Sequence, residues 1–238
     1  MGEIKAKGSL YGDNNLSLRA TRYFPVIAGL FCGFLVLSNI LAVKPITVGS
    51  YNDLLNLSAL QIWPLVLDGG ALLFPLTYII DDVLSEIYGF KTARKVIFTG
   101  FALEICAVLM IWLVGLMPST SDWGNEEAFN SVLGFVPRIV FASLCAYLVG
   151  ELLNSFVLVK IKQKWGERRL WVRLIGSTLV GEAADTSIFC TIAFFGVITT
   201  SEFLNYIIVG YIFKCLVEVL LLPVTYRVIR FLKGSKTA

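Results

Sequence analysis

Apolar residues run almost unbroken through six stretches of the chain, near 22–44, 71–88, 93–117, 134–160, 172–198 and 203–232, with short polar segments between them. At a rise of about 1.5 Å per residue, stretches of this length span or nearly span a hydrocarbon core of about 30 Å. The pattern predicts an all-α polytopic membrane protein with six transmembrane helices. Residues 1–21 are polar and lack the apolar core of a cleavable signal peptide, so they read as a cytosolic tail, and 234–238 as a second one. The stretch 45–70 fits no span. Lys44-Pro45 ends the first helix, and Asp68-Gly69-Gly70 reads as a tight turn between apolar residues, predicting a short extracellular hairpin near 45–70 on the outer surface. Pro75, Pro137 and Pro223 fall in or at the ends of spans, where membrane helices tolerate them. Gly29-x-x-x-Gly33 is either a close helix-packing face or incidental glycine content.

Composition sharpens the class. Of 238 residues, 57% are hydrophobic and 16% charged, and the mean hydropathy is +0.78. There is no histidine, which removes Ser-His-Asp and Cys-His catalysis, HExxH zinc chemistry and histidine proton relays. Five cysteines stand singly in apolar stretches and read as small buried hydrophobes. No catalytic set, metal site or cofactor is expected.

Charge placement predicts orientation. Seventeen of the 20 Lys and Arg fall in four segments: Lys5, Lys7, Arg19 and Arg22; Lys91, Arg94 and Lys95; Lys160, Lys162, Lys164, Arg168, Arg169 and Arg173; and Arg227, Arg230, Lys233 and Lys236. Alternating spans put all four on one side. The opposite loops, 118–130 and 199–202, hold Asp122, Glu126, Glu127 and Glu202 but no base. The positive-inside rule then predicts cytosolic N- and C-termini.

A few charges fall where lipid disfavours them. An ionisable group at the bilayer centre costs ~2.5–3.5 kcal/mol on insertion scales. Glu104, Glu182 and Lys214 each lie about 15–16 Å into their spans, with Asp185 one turn from Glu182 and Glu218 one turn from Lys214. Asp81 and Asp82 reach similar depth if the second span begins at Ala71. One lysine cannot neutralise so many carboxylates, and Arg138 lies toward the outer end of its span. Ionised carboxylates only accept hydrogen bonds, so the surplus reads as a site for a cation, protons or a ligand rich in N–H donors. Tyr78, Tyr147, Tyr206, Tyr211, Phe189 and Phe194 interleave with these acids and offer faces for a planar heterocycle, although aromatic residues also serve simple packing. Asn39 offers an amide suited to a purine edge or to helix–helix bonding. Glu151 and Asn154 share a face, with snorkelling toward the cytosolic bases as the competing reading.

The string Phe74-Pro75-Leu76-Thr77-Tyr78-Ile79-Ile80-Asp81-Asp82-Val83-Leu84-Ser85-Glu86-Ile87-Tyr88-Gly89-Phe90-Lys91-Thr92-Ala93-Arg94 resembles the signature FPxTYxxxDxxTExYGxKxAR of the queuosine precursor transporter family, earlier described as a vitamin uptake family. Further matches are Pro137-Arg138-Ile139, the run from Ala142 through Tyr147 and Glu151 to Asn154, Gly181-Glu182-x-x-Asp185-Thr186, and Tyr211-x-x-Lys214-x-x-x-Glu218 with Pro223 beyond. The resemblance covers about 25–233. Ser85 stands where the family has Thr, and Glu167 where Lys is commoner.

The resemblance implies that 22–233 form a six-helix transporter domain. It would take up a 7-deazaguanine base, such as preQ0, preQ1 or queuine, across the cytoplasmic membrane for tRNA modification. A guanine-like edge presents two adjacent N–H donors to one carboxylate. Glu182 and Asp185 become the expected acidic reader, Asn39 and Asn154 secondary contacts, and Lys214, with Glu218 beside it, the base that holds the pair or meets the ring carbonyl. Asp82, Glu86, Lys91 and Arg94 bracket the turn at Gly89 and read either as an inner gate of ion pairs or as a static lock. The expected partners are the deazapurine and the lipid bilayer, not nucleic acid. The six short spans are also similar to the membrane substrate-binding subunits of energy-coupling-factor-type vitamin importers, which leaves a separate ATPase module, or a homo-oligomer, open; the chain itself has no GxxxxGK[ST] loop. An intramembrane enzyme built on paired carboxylates is the remaining class, with no nucleophile elbow to support it.

Overall fold

The computed structural model describes residues 18–48, 65–165 and 170–233. They fold into a helical bundle of α1 (Leu18–Leu41), α2 (Phe74–Tyr88), α3 (Phe90–Gly115), α4 (Glu126–Leu133), α5 (Val136–Trp165), α6 (Leu170–Phe194) and α7 (Thr200–Lys233), with a two-stranded sheet of β1 (Pro45–Val48) and β2 (Leu65–Asp68) between α1 and α2. Four stretches, Ala20–Leu41, Phe90–Gly115, Glu126–Asn154 and Glu202–Lys233, are long and apolar enough to cross a membrane. The other two expected spans correspond to α2, only 15 residues long, and to α6, which carries Glu182 and Asp185 along its length. The short amphipathic α4 lies in the loop that the hydropathy pattern left featureless.

The segment after α1 differs from the expectation of a surface hairpin turned at Asp68-Gly69-Gly70. β1 and β2 do pair antiparallel, with Pro45 opposite Asp68 and Val48 opposite Leu65, but the connection between them falls in 49–64, outside the described residues. Asp68-Gly69-Gly70 instead opens a short 3-10 turn, Gly69–Leu72, whose Ala71 N–H donates to the Asp68 side chain at 3.0 Å. β2 is buried, not superficial. Val66 enters the core between α5, α6 and α7, while Leu67 and Ala71 pack on Val209 of α7. The physical reason is satisfaction of polar groups: Asn205 of α7 accepts from the Val66 N–H at 3.2 Å, and Tyr206 donates to Asp68 Oδ2 at 2.6 Å. Irregular backbone is tolerated at depth only when protein supplies its hydrogen bonds. Gly69 and Gly70 press on the end of α1, where a Cβ would lie 2.5 Å from the Leu41 and Ser38 carbonyl oxygens.

α5 and α6 form an antiparallel pair in close contact. A Cβ on Gly150 would meet the Gly181 carbonyl at 3.2 Å, and one on Gly181 would meet Asn154 Cβ at 2.9 Å. Ala142, Ala146 and Ala193 continue this small-residue seam, the means by which membrane helices approach closely. By contrast, nothing within 4 Å faces Gly29 or Gly33; they line an open apolar groove between α1 and α3 instead of a helix-packing seam of this chain.

One core joins α5, α6, α7 and the sheet; a second joins α1, α2 and α3. At one end of the bundle, Tyr88 donates to the Ala20 carbonyl at 2.7 Å, Tyr23 packs against Phe231, and Lys233 pairs with Glu86. The starts of α1 and α3 and the end of α7 therefore meet at one end, as the clustering of basic residues predicts. Arg138 lies at the other end, donating to the Ile192 and Phe195 carbonyls at 2.7 and 2.8 Å. It caps the C-terminus of α6 and, among the described residues, pairs with no acid.

Candidate functional site

Between the two cores lies a cavity of about 350 Å³ to which α1, α2, α3, α5, α6 and α7 all contribute. Its volume is at the low end of the range of about 300–1,000 Å³ usual for small-molecule sites. The tight α5–α6 crossing orients much of its wall. With Gly150 against Gly181, the helix faces bearing Glu151 and Asn154 on α5 and Glu182 and Asp185 on α6 turn into the same space. α7 brings Lys214 and, one turn on, Glu218; α1 brings Asn39. All six residues expected from sequence to contact a ligand therefore line one cavity.

The ion pairing inside it is uneven. Lys214 Nζ lies 2.5 Å from Asp185 Oδ2 and 3.7 Å from Glu182 Oε2. Of the two carboxylates that sequence treats as equivalent, Asp185 is the close partner of the lysine. Glu182 Oε2 is buried and has no hydrogen bond. Glu218 lines the cavity with no ion pair among the described residues. Asp81 Oδ1 and Asn154 Oδ1 are likewise buried without a partner. Buried polar atoms are overwhelmingly hydrogen-bonded in folded proteins, and each exception asks for an explanation. These three atoms are all acceptors on one cavity, so the wall is matched to a ligand that supplies hydrogen-bond donors.

Sequence reading undervalued several wall residues. Tyr78, Asp81 and Asp82 share one face of α2 at spacings of three and four, and Tyr147, Glu151 and Asn154 share one face of α5. That periodicity was the available signal: Glu151 and Asn154 face inward, not snorkelling outward. Of the aromatic candidates, Tyr78, Tyr147 and Phe189 line the cavity. Tyr206 instead holds Asp68, Phe194 packs at tilted and edge-on angles among Phe135, Phe189 and Tyr206, and Tyr211 bonds to the Leu179 carbonyl.

The residues around Gly89 divide. Asp82 lies on the cavity wall, whereas Glu86 pairs with Lys233 of α7 at 2.5 Å. Arg94 lies over the Phe90 and Phe98 rings at 5.4 and 5.8 Å, and Lys91 is exposed. The partner that α2 finds is thus the end of α7, not the adjacent start of α3. Among the described residues no three His, Cys, Asp or Glu side chains converge as a metal site. Cys32 and Cys190 are buried as expected, but Cys106 is exposed on α3 and Cys145 and Cys215 are half-buried.

A bundle of long apolar helices around an acidic cavity defines a membrane protein that handles a small polar molecule. The comparisons with known proteins give the class its family. A family profile described as "Putative vitamin uptake transporter" matches residues 68–228. The chain is 31% identical over 158 residues to the "Probable queuosine precursor transporter" of Bacillus subtilis, an alignment covering 66% of this chain and 69% of that protein. It is 30% identical over 163 residues to the "Queuosine precursor transporter" of Escherichia coli, covering 67% and 71%, and 29% identical to the "Probable queuosine precursor transporter" of Haemophilus influenzae, covering 67% of each. No solved structure matches significantly. The chain belongs to the queuosine precursor transporter family, and it is a multi-pass membrane transporter rather than an enzyme.

Proposed function

We propose that this chain takes up a 7-deazaguanine precursor of queuosine across the cytoplasmic membrane, supplying tRNA modification. The names of its relatives support the substrate class. The observation that carries the reading is the set of buried acceptors without a hydrogen bond, Glu182 Oε2, Asp81 Oδ1 and Asn154 Oδ1, on the wall of one cavity, the first of them 3.7 Å from Lys214 Nζ. A guanine-like edge carries an N1–H and an exocyclic NH₂ side by side and supplies donors of the kind these oxygens lack. Glu182 reads that edge. Asp185 holds Lys214 in place, Lys214 meets the ring carbonyl, and Asn39, Asn154 and Glu218 complete the polar contacts. Tyr78, Tyr147 and Phe189 provide faces for the planar ring.

In this reading α1, α2, α3, α5, α6 and α7 all cross the bilayer. α2 is about 22 Å long, and the buried sheet with its 3-10 turn makes up the remaining depth, a broken span of the kind found at transporter binding sites. The end where α1 begins and α7 ends faces the cytosol.

Calorimetric binding of preQ0, preQ1 and queuine to the purified chain tests the proposal. At least one base binds wild type. Glu182→Gln removes a charge-assisted contact of about 1.5–3 kcal/mol, weakening binding by roughly 10- to 150-fold. Wild-type affinity in both Glu182→Gln and Asp185→Asn places the site elsewhere. Uptake by the chain reconstituted alone in liposomes shows whether a separate ATPase is required.

A further inference from the structure

A second polar cluster stands behind the cavity wall, around a carboxyl group that the proposed recognition does not use. Glu104 of α3 is 1% exposed, packed toward α1 and α5. Its Oε1 accepts from Asn39 Nδ2, and its Oε2 has no hydrogen-bond partner. No lysine or arginine among the described residues pairs with it. Asn39 Nδ2 also lies 3.5 Å from Ser143 Oγ of α5. Asn39 and Ser143 line the cavity, whereas Glu104 does not. α1 therefore presents an amide to Glu104, and that amide is shared with a hydroxyl of α5. Tyr147 of α5 packs on Phe101, which lies about one turn of α3 from Glu104.

An ionised carboxylate in such a place lacks the cation or multiple donors that would offset its desolvation. A protonated one avoids that cost. The amide of Asn39 responds to the difference, because its two ends are opposite in hydrogen-bonding sense and exchange by a half-turn about the terminal bond. An ionised Glu104 takes the NH₂ end, leaving the amide oxygen for the cavity. A protonated Glu104 donates its own O–H to that oxygen, leaving the NH₂ end for the cavity.

We propose that Glu104 is a proton-binding site coupled through Asn39 to the ligand cavity, so that the proton it carries determines whether Asn39 offers a donor or an acceptor to the bound molecule. Linkage makes this reciprocal: a ligand that prefers one end of the amide changes the proton affinity of Glu104 by the same factor as the proton changes the affinity for the ligand. The step moves one proton between solvent and Glu104 and breaks no other bond. It rests on the cavity being the ligand site.

Two measurements on the full chain in lipid nanodiscs test it. Infrared spectra of ligand-free protein, titrated with pH, read protonated carboxyl groups directly. The expected result is a protonated carboxyl band in wild type that Glu104→Gln lacks; its persistence in the variant overturns the proposal. Should Glu104→Gln fail to fold, Glu104→Asp replaces it, and a band that does not shift overturns the proposal equally. Calorimetry of preQ1 or queuine binding, in buffers of differing ionisation heat, reads protons exchanged on binding. Wild type exchanges a proton, while Glu104→Gln binds without exchange; identical exchange in wild type and Glu104→Gln overturns the coupling. If none of preQ0, preQ1 and queuine binds wild type, the functional reading falls, while the infrared band still decides whether Glu104 holds a proton.

Discussion

At the scale of single residues, a charge set inside an apolar run was legible and its partner was not. Hydropathy placed Glu104, Glu182, Asp185 and Lys214 near the midplane, because a charge interrupting an apolar run is visible in one dimension. Which acid takes the lysine depends on how α6 and α7 face each other across 29 residues of sequence, and the answer, Asp185, needed coordinates. The pairing of Asn39 with Glu104, 65 residues apart, was equally hidden. Asp185→Asn should therefore differ from Glu182→Gln in kind. Breaking a fully buried pair costs about 3–5 kcal/mol, less here because Asp185 keeps 26% of its side chain exposed. Asp185→Asn should lower the thermal midpoint of the purified protein, whereas Glu182→Gln should weaken ligand binding with little change in that midpoint. Arg138 gives another contrast. Sequence placed it only toward the outer end of its span; there it caps α6 with two hydrogen bonds. Hydrogen bonds to charged groups are worth about 1.5–3 kcal/mol each, so Arg138→Leu should destabilise the fold measurably, and Arg138→Lys should recover only part because an ammonium lacks the planar fork.

Among the elements, the long apolar helices followed from pattern, while the stretch between α1 and α2 did not. Sequence indicated the break at Lys44-Pro45 and an antiparallel pairing, but it assigned Asp68-Gly69-Gly70 to the wrong job. Its glycines serve close approach to α1, and its aspartate serves a 3-10 turn and a tyrosine on α7. No local signal distinguishes a turn glycine from one pressed against a distant backbone. A double-mutant cycle of Asp68→Asn and Tyr206→Phe should return a coupling energy within the general range of about 0.5–3 kcal/mol for residues sharing a hydrogen bond; additivity would mean that the contact does not anchor the sheet. The α2–α3 corner makes a sharper demand. Gly89 has φ 78° and ψ 157°, a region essentially reserved to glycine that costs other residues about 1–3 kcal/mol. Gly89→Ala should lower stability by that order in thermal unfolding, although open space surrounds the position.

For the whole molecule, the segregation of basic residues anticipated which chain segments share an end, and the contacts joining α1, the α2–α3 corner and α7 agree with it. The Glu86–Lys233 pair that bridges this end is about half exposed on both sides, so as a stability element it is worth no more than about 1 kcal/mol. Exchanging the charges, Glu86→Lys with Lys233→Glu, should leave the thermal midpoint nearly unchanged. Uptake separates the two readings of this end: a static lock works normally with the charges exchanged, whereas a gate whose partners change between states does not. Asp81, Asp82, Glu151, Glu182, Asp185 and Glu218 line the cavity against the one lysine, Lys214. Such a wall repels phosphate as firmly as it accepts N–H donors. A guanine nucleotide therefore meets a repulsion here that a base without phosphate does not, and guanosine monophosphate should fail to compete for binding even at great excess.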